Sequence, residues 1–182
     1  MKDPATRVIA FYDHEEVGSE SAQGAGSPFL KDVLERIILS EKREGFLRAM
    51  ANSFFISADM AHAIHPNYSE MHDNQHMPII NGGPVIKSNA GQRYATDAMS
   101  SVWFESLCKK AGIPGQKFVV RSDLGCGSTI GPITAANLGD RTVDIGNPML
   151  SMNSIREMAG ANDHELLIRA FKEFFRPVSR GN

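Results

Sequence analysis

Short apolar runs alternate along the chain with longer stretches in which apolar residues recur every three or four positions. Val8 to Phe11 predicts a strand, followed by a glycine- and serine-rich loop through Ser27. Pro28 then opens a helix in which Phe29, Leu30, Val33, Leu34, Ile37 and Ile38 form a stripe of helical period. The charged stretch from Ser40 to Gly45 is expected to interrupt it. Phe54 to Ser57 reads as a second strand. A polar, histidine-containing loop runs from Asn67 to Asn81, closed by Gly82-Gly83-Pro84. Val85-Ile86 predicts a third strand. Tyr94 to Ala111 predicts a long helix with Ala95, Ala98, Met99, Val102, Trp103 and Leu107 on one side. Lys109 and Lys110 complement its C-terminal dipole and Gly112 ends it.

Phe118 to Val120 and Val143 to Ile145 supply two more strands, and two helices follow, one near Ser154 and one after Asp163. Strands alternating with helices give an α/β class, with a mostly parallel sheet flanked by helices. The chain shows no internal repeat, low-complexity tract or linker, so residues 1–182 are expected to form a single domain.

Composition narrows the class without naming a function. With 42% hydrophobic and 22% charged residues, the chain is that of an ordinary globular protein. A formal net charge of -2 argues against a nucleic-acid surface. The two cysteines, Cys108 and Cys126, make neither a disulfide framework nor a Cys-x-x-Cys site. No apolar run is long enough to span a bilayer, and Met1-Lys2-Asp3-Pro4 lacks the apolar region of a signal peptide. A cytoplasmic location is the expectation.

Two acidic sites fall directly after strands: Asp13-His14-Glu15-Glu16 after the first and Asp59 after the second. The carboxyl ends of strands are where open α/β sheets place ligands. Carboxylates that converge there need a cation or protons between them; carboxylates that do not converge are solvated turns. Spacing alone leaves both readings open. His14 to Gly18 is not the helical His-Glu-x-x-His motif, because position 18 is glycine. His62 and His65 read as packed or solvated rather than metal-bound, and His72 and His76 as surface residues. Gly125 to Gly131 could cradle an anion before a helix, or form only a tight turn. Cys126 has no base beside it that would activate it as a nucleophile.

Longer segments carry a resemblance. Tyr12 to Ala25, YDHEEVGSESAQGA, and Ile56 to Ala63, ISADMAHA, resemble metal-binding segments of the aspartyl aminopeptidases. Gly83-Pro84-Val85-Ile86-Lys87, Gln92-Arg93-Tyr94-Ala95, Thr129-Ile130-Gly131-Pro132-Ile133 and Ser154-Ile155-Arg156-Glu157-Met158-Ala159 continue the match in order. The resemblance implies a partial zinc-exopeptidase-like domain, the C-terminal part of a catalytic domain. It implies two zinc ions that activate a water, with Glu15 as general base and Glu16 and Asp59 as metal ligands. His62, Lys87 and Tyr94 resemble substrate-pocket residues, and a lysine there suits peptides with an acidic N-terminal residue.

Two departures from the family pattern stand out. A ligand histidine of the family is replaced by Asn153, whose neutral carboxamide is a poorer zinc ligand than imidazole. The family's other ligand histidine, its bridging aspartate and its dimerisation region lie upstream of the matched segments. The chain alone is therefore expected to be inactive and to self-associate or form a homo-oligomer. The competing expectations are a non-catalytic relative that keeps the fold for binding or assembly, and an unrelated binding domain using the Gly125 to Gly131 loop.

Overall fold

The structure, a computed structural model, describes residues 5–38, 43–128 and 130–177. Helix α1 (Phe29–Ile37) follows Pro28, as the stripe predicts, and α2 (Arg43–Ala51) lies just beyond it. Arg43 to Gly45, expected to break a helix, instead form the first turn of α2, while Ser40 to Lys42 fall outside the described residues. Strands β1 (Phe54–Ala58) and β2 (Ala61–His62) come next, then β3 (Val85–Ser88), α3 (Ala98–Ala111) and β4 (Gln116–Val119). The chain continues through α4 (Gly131–Leu138), β5 (Arg141–Gly146), β6 (Pro148–Leu150), β7 (Met158–Ala159) and α5 (Ala161–Phe174).

A four-stranded sheet has the order β1-β5-β3-β4. The β1–β5 and β3–β4 pairs are parallel, and β3 runs antiparallel to β5. Alternation along the strands divides its two faces. Phe54, Ile56, Ile86, Val143 and Ile145 point to one face and pack with Phe104, Leu107 and Cys108 of α3 and Ala170 of α5. Phe104, Val143, Ile145 and Ala170 have no exposed surface, and truncating a buried aromatic costs about 3–5 kcal/mol. The opposite face carries polar groups, Ser57, Lys87 and Asp144, all buried.

Beyond the first sheet, β1 and β5 each break and resume as β2 and β6, which pair in parallel and add β7 antiparallel. The hydrogen bonds step across the break: Asp59 N–H donates to Ile145 at 3.0 Å and Ala61 N–H to Asn147 at 2.9 Å. Position 146 is glycine because the Asp59 carbonyl lies where a β-carbon would stand.

Three sequence expectations give way. Val8 to Phe11 pairs with no strand among the described residues, and Ile9 and Phe11 are exposed. An apolar run makes a strand only where a neighbour accepts its backbone bonds. The long helix begins at Ala98 rather than Tyr94. Asp97 caps it, accepting from Ser100 N–H at 2.6 Å while its own N–H donates to Ser100 Oγ. Its buried side is Ser100, Phe104, Leu107 and Cys108, whereas Met99 and Val102 face outward. The helix is apolar on most of its circumference, so period alone does not choose the face. No helix forms near Ser154. Ser151 and Asn153 take left-handed backbone (φ 57° and 64°), which a right-handed helix excludes, and Met158–Ala159 pairs with β6 instead. The helix expected after Asp163 starts slightly earlier, at Ala161, with Asp163 buried in its first turn.

Candidate active site

Asp59 sits at the break between β1 and β2, its N–H still bonded to Ile145. Its Oδ1 accepts the Met60 N–H at 2.7 Å and its Oδ2 lies 3.5 Å from Lys87 Nζ. Lys87, on β3, is only 2% exposed. A buried ammonium needs acceptors, since its desolvation is costly. Lys87 finds the Met60 carbonyl at 3.1 Å, the Asp59 carboxylate, and the face of the Tyr94 ring, whose centroid is 5.3 Å away.

Tyr94 belongs to an irregular segment before α3 and packs on Phe118 of β4, rings 6.4 Å apart and edge-on. Burial pushes its phenol well above the ordinary range, and the charges of Cys126, Asp144 and Asp59 push the same way. His62 reaches the other flank of Phe118 at 6.2 Å. Its pKa is held below the usual histidine value, first by desolvation and then by repulsion from His72 and Lys87. His72, expected at the surface, is buried beside the same ring at 5.7 Å, its Nε2 facing the His62 carbonyl. The ring of Phe118 packs edge-on with the His72 imidazole, which a polar-loop reading places in water. Asp59, His62, Lys87 and Tyr94 thus share one neighbourhood.

Glu15 and Glu16 lie in a short 3-10 turn, Glu15–Val17, on a loop folded around its own backbone bonds. His14 adopts left-handed backbone (φ 61°) and its Nδ1 meets Ser21 Oγ at 2.7 Å. Asp13 N–H donates to Gln23, and Gly26 N–H to Ser19. Glu15 is half-buried and Glu16 exposed. Asn153 sits in the exposed loop after β6, its N–H donating to Glu157 Oε1 at 2.6 Å. His65 stacks near Tyr68, and His76 Nδ1 pairs with Asp73 at 2.6 Å.

Asp144 is a residue that sequence reasoning passed over. It lies within the expected fifth strand and has no exposed surface. Its Oδ2 accepts the Ala95 N–H at 2.6 Å. Burial raises its pKa, and Ser57, the Ala95 N–H, Lys87 and Ser128 act in the opposite sense. An acid between Val143 and Ile145 was the signal that could have found it.

Among the described residues, no group of three or more His, Cys, Asp or Glu side chains is placed to hold a metal ion. Zinc takes four ligands, with three or more from protein. The described residues therefore do not fit a zinc site by themselves.

The family model described as Aminopeptidase I zinc metalloprotease (M18) matches residues 1–175. The chain belongs to this family. A probable aspartyl aminopeptidase of Ricinus communis is 51% identical over 179 residues, covering 97% of this chain and 36% of the relative. Aspartyl aminopeptidase 4 of Saccharomyces cerevisiae is 48% identical over 184 residues, covering 96% and 38%. A cryo-EM structure of the Ape4 and Nbr1 complex matches with a TM-score of 0.87 and 53% identity, over 90% of this chain and 31% of that one. A dodecamer of yeast mApe1 matches with a TM-score of 0.80 and 34% identity, covering 90% and 36%. This M18 chain spans less than half the length of these relatives. Its α/β fold with a parallel-rich sheet is the aminopeptidase fold seen in those structures. No helix among the described residues is long and apolar enough to cross a membrane.

Proposed function

We propose that this chain contributes the substrate-facing part of an aminopeptidase that removes Asp or Glu from peptide N-termini. The observation that carries this reading is Lys87, a buried ammonium with long or neutral partners: a carboxylate at 3.5 Å, a carbonyl at 3.1 Å and an aromatic face. An incoming carboxylate would form a shorter, charge-assisted bond than the present partners supply. His62 and Tyr94 border the same space. Glu15 is assigned as the proton acceptor, and Glu16 and Asp59 as carboxylates offered to a shared zinc centre. Asn153 stands at a position where the family pattern has a histidine ligand. Because the described residues do not assemble a zinc site, no metal-dependent step is assigned to this chain alone. Residues 1–182 are taken as a single domain, in a cytoplasmic protein that functions as a homo-oligomer and binds neither nucleic acid nor membrane.

A second reading is a non-catalytic relative retained for binding or assembly. Asn153 favours it, because a carboxamide removes a ligand without disturbing the left-handed turn it occupies. Metal analysis paired with hydrolysis of an aspartyl anilide separates the two. The chain alone is expected to retain no stoichiometric zinc and to show no turnover. With an upstream fragment of a relative supplied, the enzyme reading expects turnover that Glu15→Gln abolishes and that Asn153→His raises together with zinc content. No turnover in any combination, with a correctly assembled complex, selects the second reading.

A further inference from the structure

We propose that Asp144 is a positioning residue for the Lys87 pocket: it clamps the segment that follows Tyr94 and so sets the Tyr94 ring over the Lys87 ammonium. The inference rests on the reading of Lys87 as the group that receives an acidic side chain, and extends it to a residue on the neighbouring strand.

Two bonds of opposite polarity make the clamp. The Asp144 carboxylate accepts the Ala95 N–H at 2.6 Å, and the Asp144 backbone N–H donates to Thr96 Oγ1 at 2.9 Å. One residue of β5 thereby holds both residues directly after Tyr94. The segment needs such a hold because Tyr94 to Asp97 is neither helix nor strand. On its other side, the Arg93 carbonyl accepts from Ser128 N–H at 3.2 Å. Among the described residues, the Tyr94 ring contacts Phe118, the Lys87 ammonium and the Cys126 thiol. Ring contacts fix a plane poorly unless the backbone is already placed.

The carboxylate is held from above as well. Position 131, at the start of α4, is glycine, and a β-carbon there would run into both Asp144 carboxylate oxygens. The carboxylate is therefore wedged between α4 and the Ala95 backbone, with Ser57 opposite it on β1. An apolar residue at 144 would leave the Ala95 N–H without this acceptor. A buried carboxylate is the more costly choice, and the bond it makes lies one residue from the ring that covers Lys87.

The test reads Lys87 directly. In the 182-residue chain, the ε-methylene protons of Lys87 are expected to be shifted upfield by the Tyr94 ring current, and Tyr94→Leu identifies the resonance by removing the shift. Asp144→Ala is expected to abolish the shift while the upfield methyl resonances of the core on the opposite sheet face persist. Asp144→Asn, which keeps an acceptor oxygen for the Ala95 N–H, is expected to restore most of it. A merely structural role would not distinguish the two variants in this signal. A folded Asp144→Ala protein with the Lys87 resonance at its wild-type position overturns the proposal. Should that variant not fold, Thr96→Val removes only the second bond; it is expected to reduce the shift, and an unchanged shift overturns the proposal equally. Titration of the wild type with an Asp-Ala dipeptide is independent: absence of binding there retires the acid-receiving role of Lys87 and leaves the ring-current result to decide Asp144.

Discussion

Asp163 closes the structure behind the site, and its removal tests how firmly Lys87 is carried. The residue has no exposed surface and lies in the first turn of α5. Its Oδ2 accepts the Asn81 N–H at 2.7 Å and its Oδ1 the Gly83 N–H at 2.8 Å. Those donors lie six and four residues before Lys87, in the turn that leads into β3. Gln116 clamps the same turn from β4, bonding the Ile79 N–H and the carbonyls of Ile79 and Gly83. In Asp163→Ala two backbone donors lose their carboxyl acceptor. Hydrogen bonds to charged groups contribute about 1.5–3 kcal/mol each, so the expected loss is about 3–6 kcal/mol. That is a large part of a typical domain's 5–15 kcal/mol stability. With a urea slope of about 1–3 kcal/mol/M, the unfolding midpoint should fall by more than about 1 M. Asp163→Asn keeps one acceptor and should lose about half as much. Native-state hydrogen exchange adds a local reading: Asn81 and Gly83 should lose protection in Asp163→Ala beyond the drop seen for core amides of β5. Denaturation within about 1 kcal/mol of wild type, with both amides still protected, would refute the clamp.

Three further outcomes are expected. His62 should titrate below the ordinary histidine value of about 6.5 by NMR. A depressed folded pKa means that the unfolded chain binds more protons, so the His62 contribution is lost as pH falls below about 6.5 through the folded pKa; His62→Gln should flatten that limb of the stability curve. A thiol reagent at pH 8 should modify half-buried Cys126 and spare Cys108, which is buried with its pKa pushed up to about 11; both should react in denaturant, and equal native rates would contradict the placement. Gly146→Ala should destabilise by about 1–3 kcal/mol or more by calorimetry, because the new β-carbon meets the Asp59 carbonyl, and a neutral result would show that the two strands part freely at the break.

The strands that face the core were legible because apolar runs bounded by glycine and polar loops have few other uses: Phe54 to Ser57, Val85-Ile86 and Val143 to Ile145 all lie in strands. The small sheet of β2, β6 and β7 was not, since pieces of two or three residues carry no period. Val8 to Phe11 shows the converse limit. Its side chains suit a strand, but pairing depends on a neighbour that no local pattern reports. The face of α3 was misassigned for a different reason, as Met99 and Val102 are as apolar as the Phe104 side that the core selects.

Residue types put Asp59 rightly after a strand, but Asp13 to Glu16 follow none, and although the resemblance added roles, neither could tell which groups meet. Asp59 and Lys87 come from strands that are not adjacent, β1 and β3, with β5 between them. Their approach depends on β1 breaking at Asp59, and on the Asp59 carbonyl moving into the space that Gly146 leaves open. The same break separates the apolar sheet from the short one, and His62, Tyr94 and Lys87 gather beside it around Phe118. A continuous β1 would draw Met60 into the ladder and deny Lys87 the Met60 carbonyl, its shorter polar contact. The site is thus a consequence of an interrupted sheet, and the glycine at 146 is the sequence position on which that interruption turns.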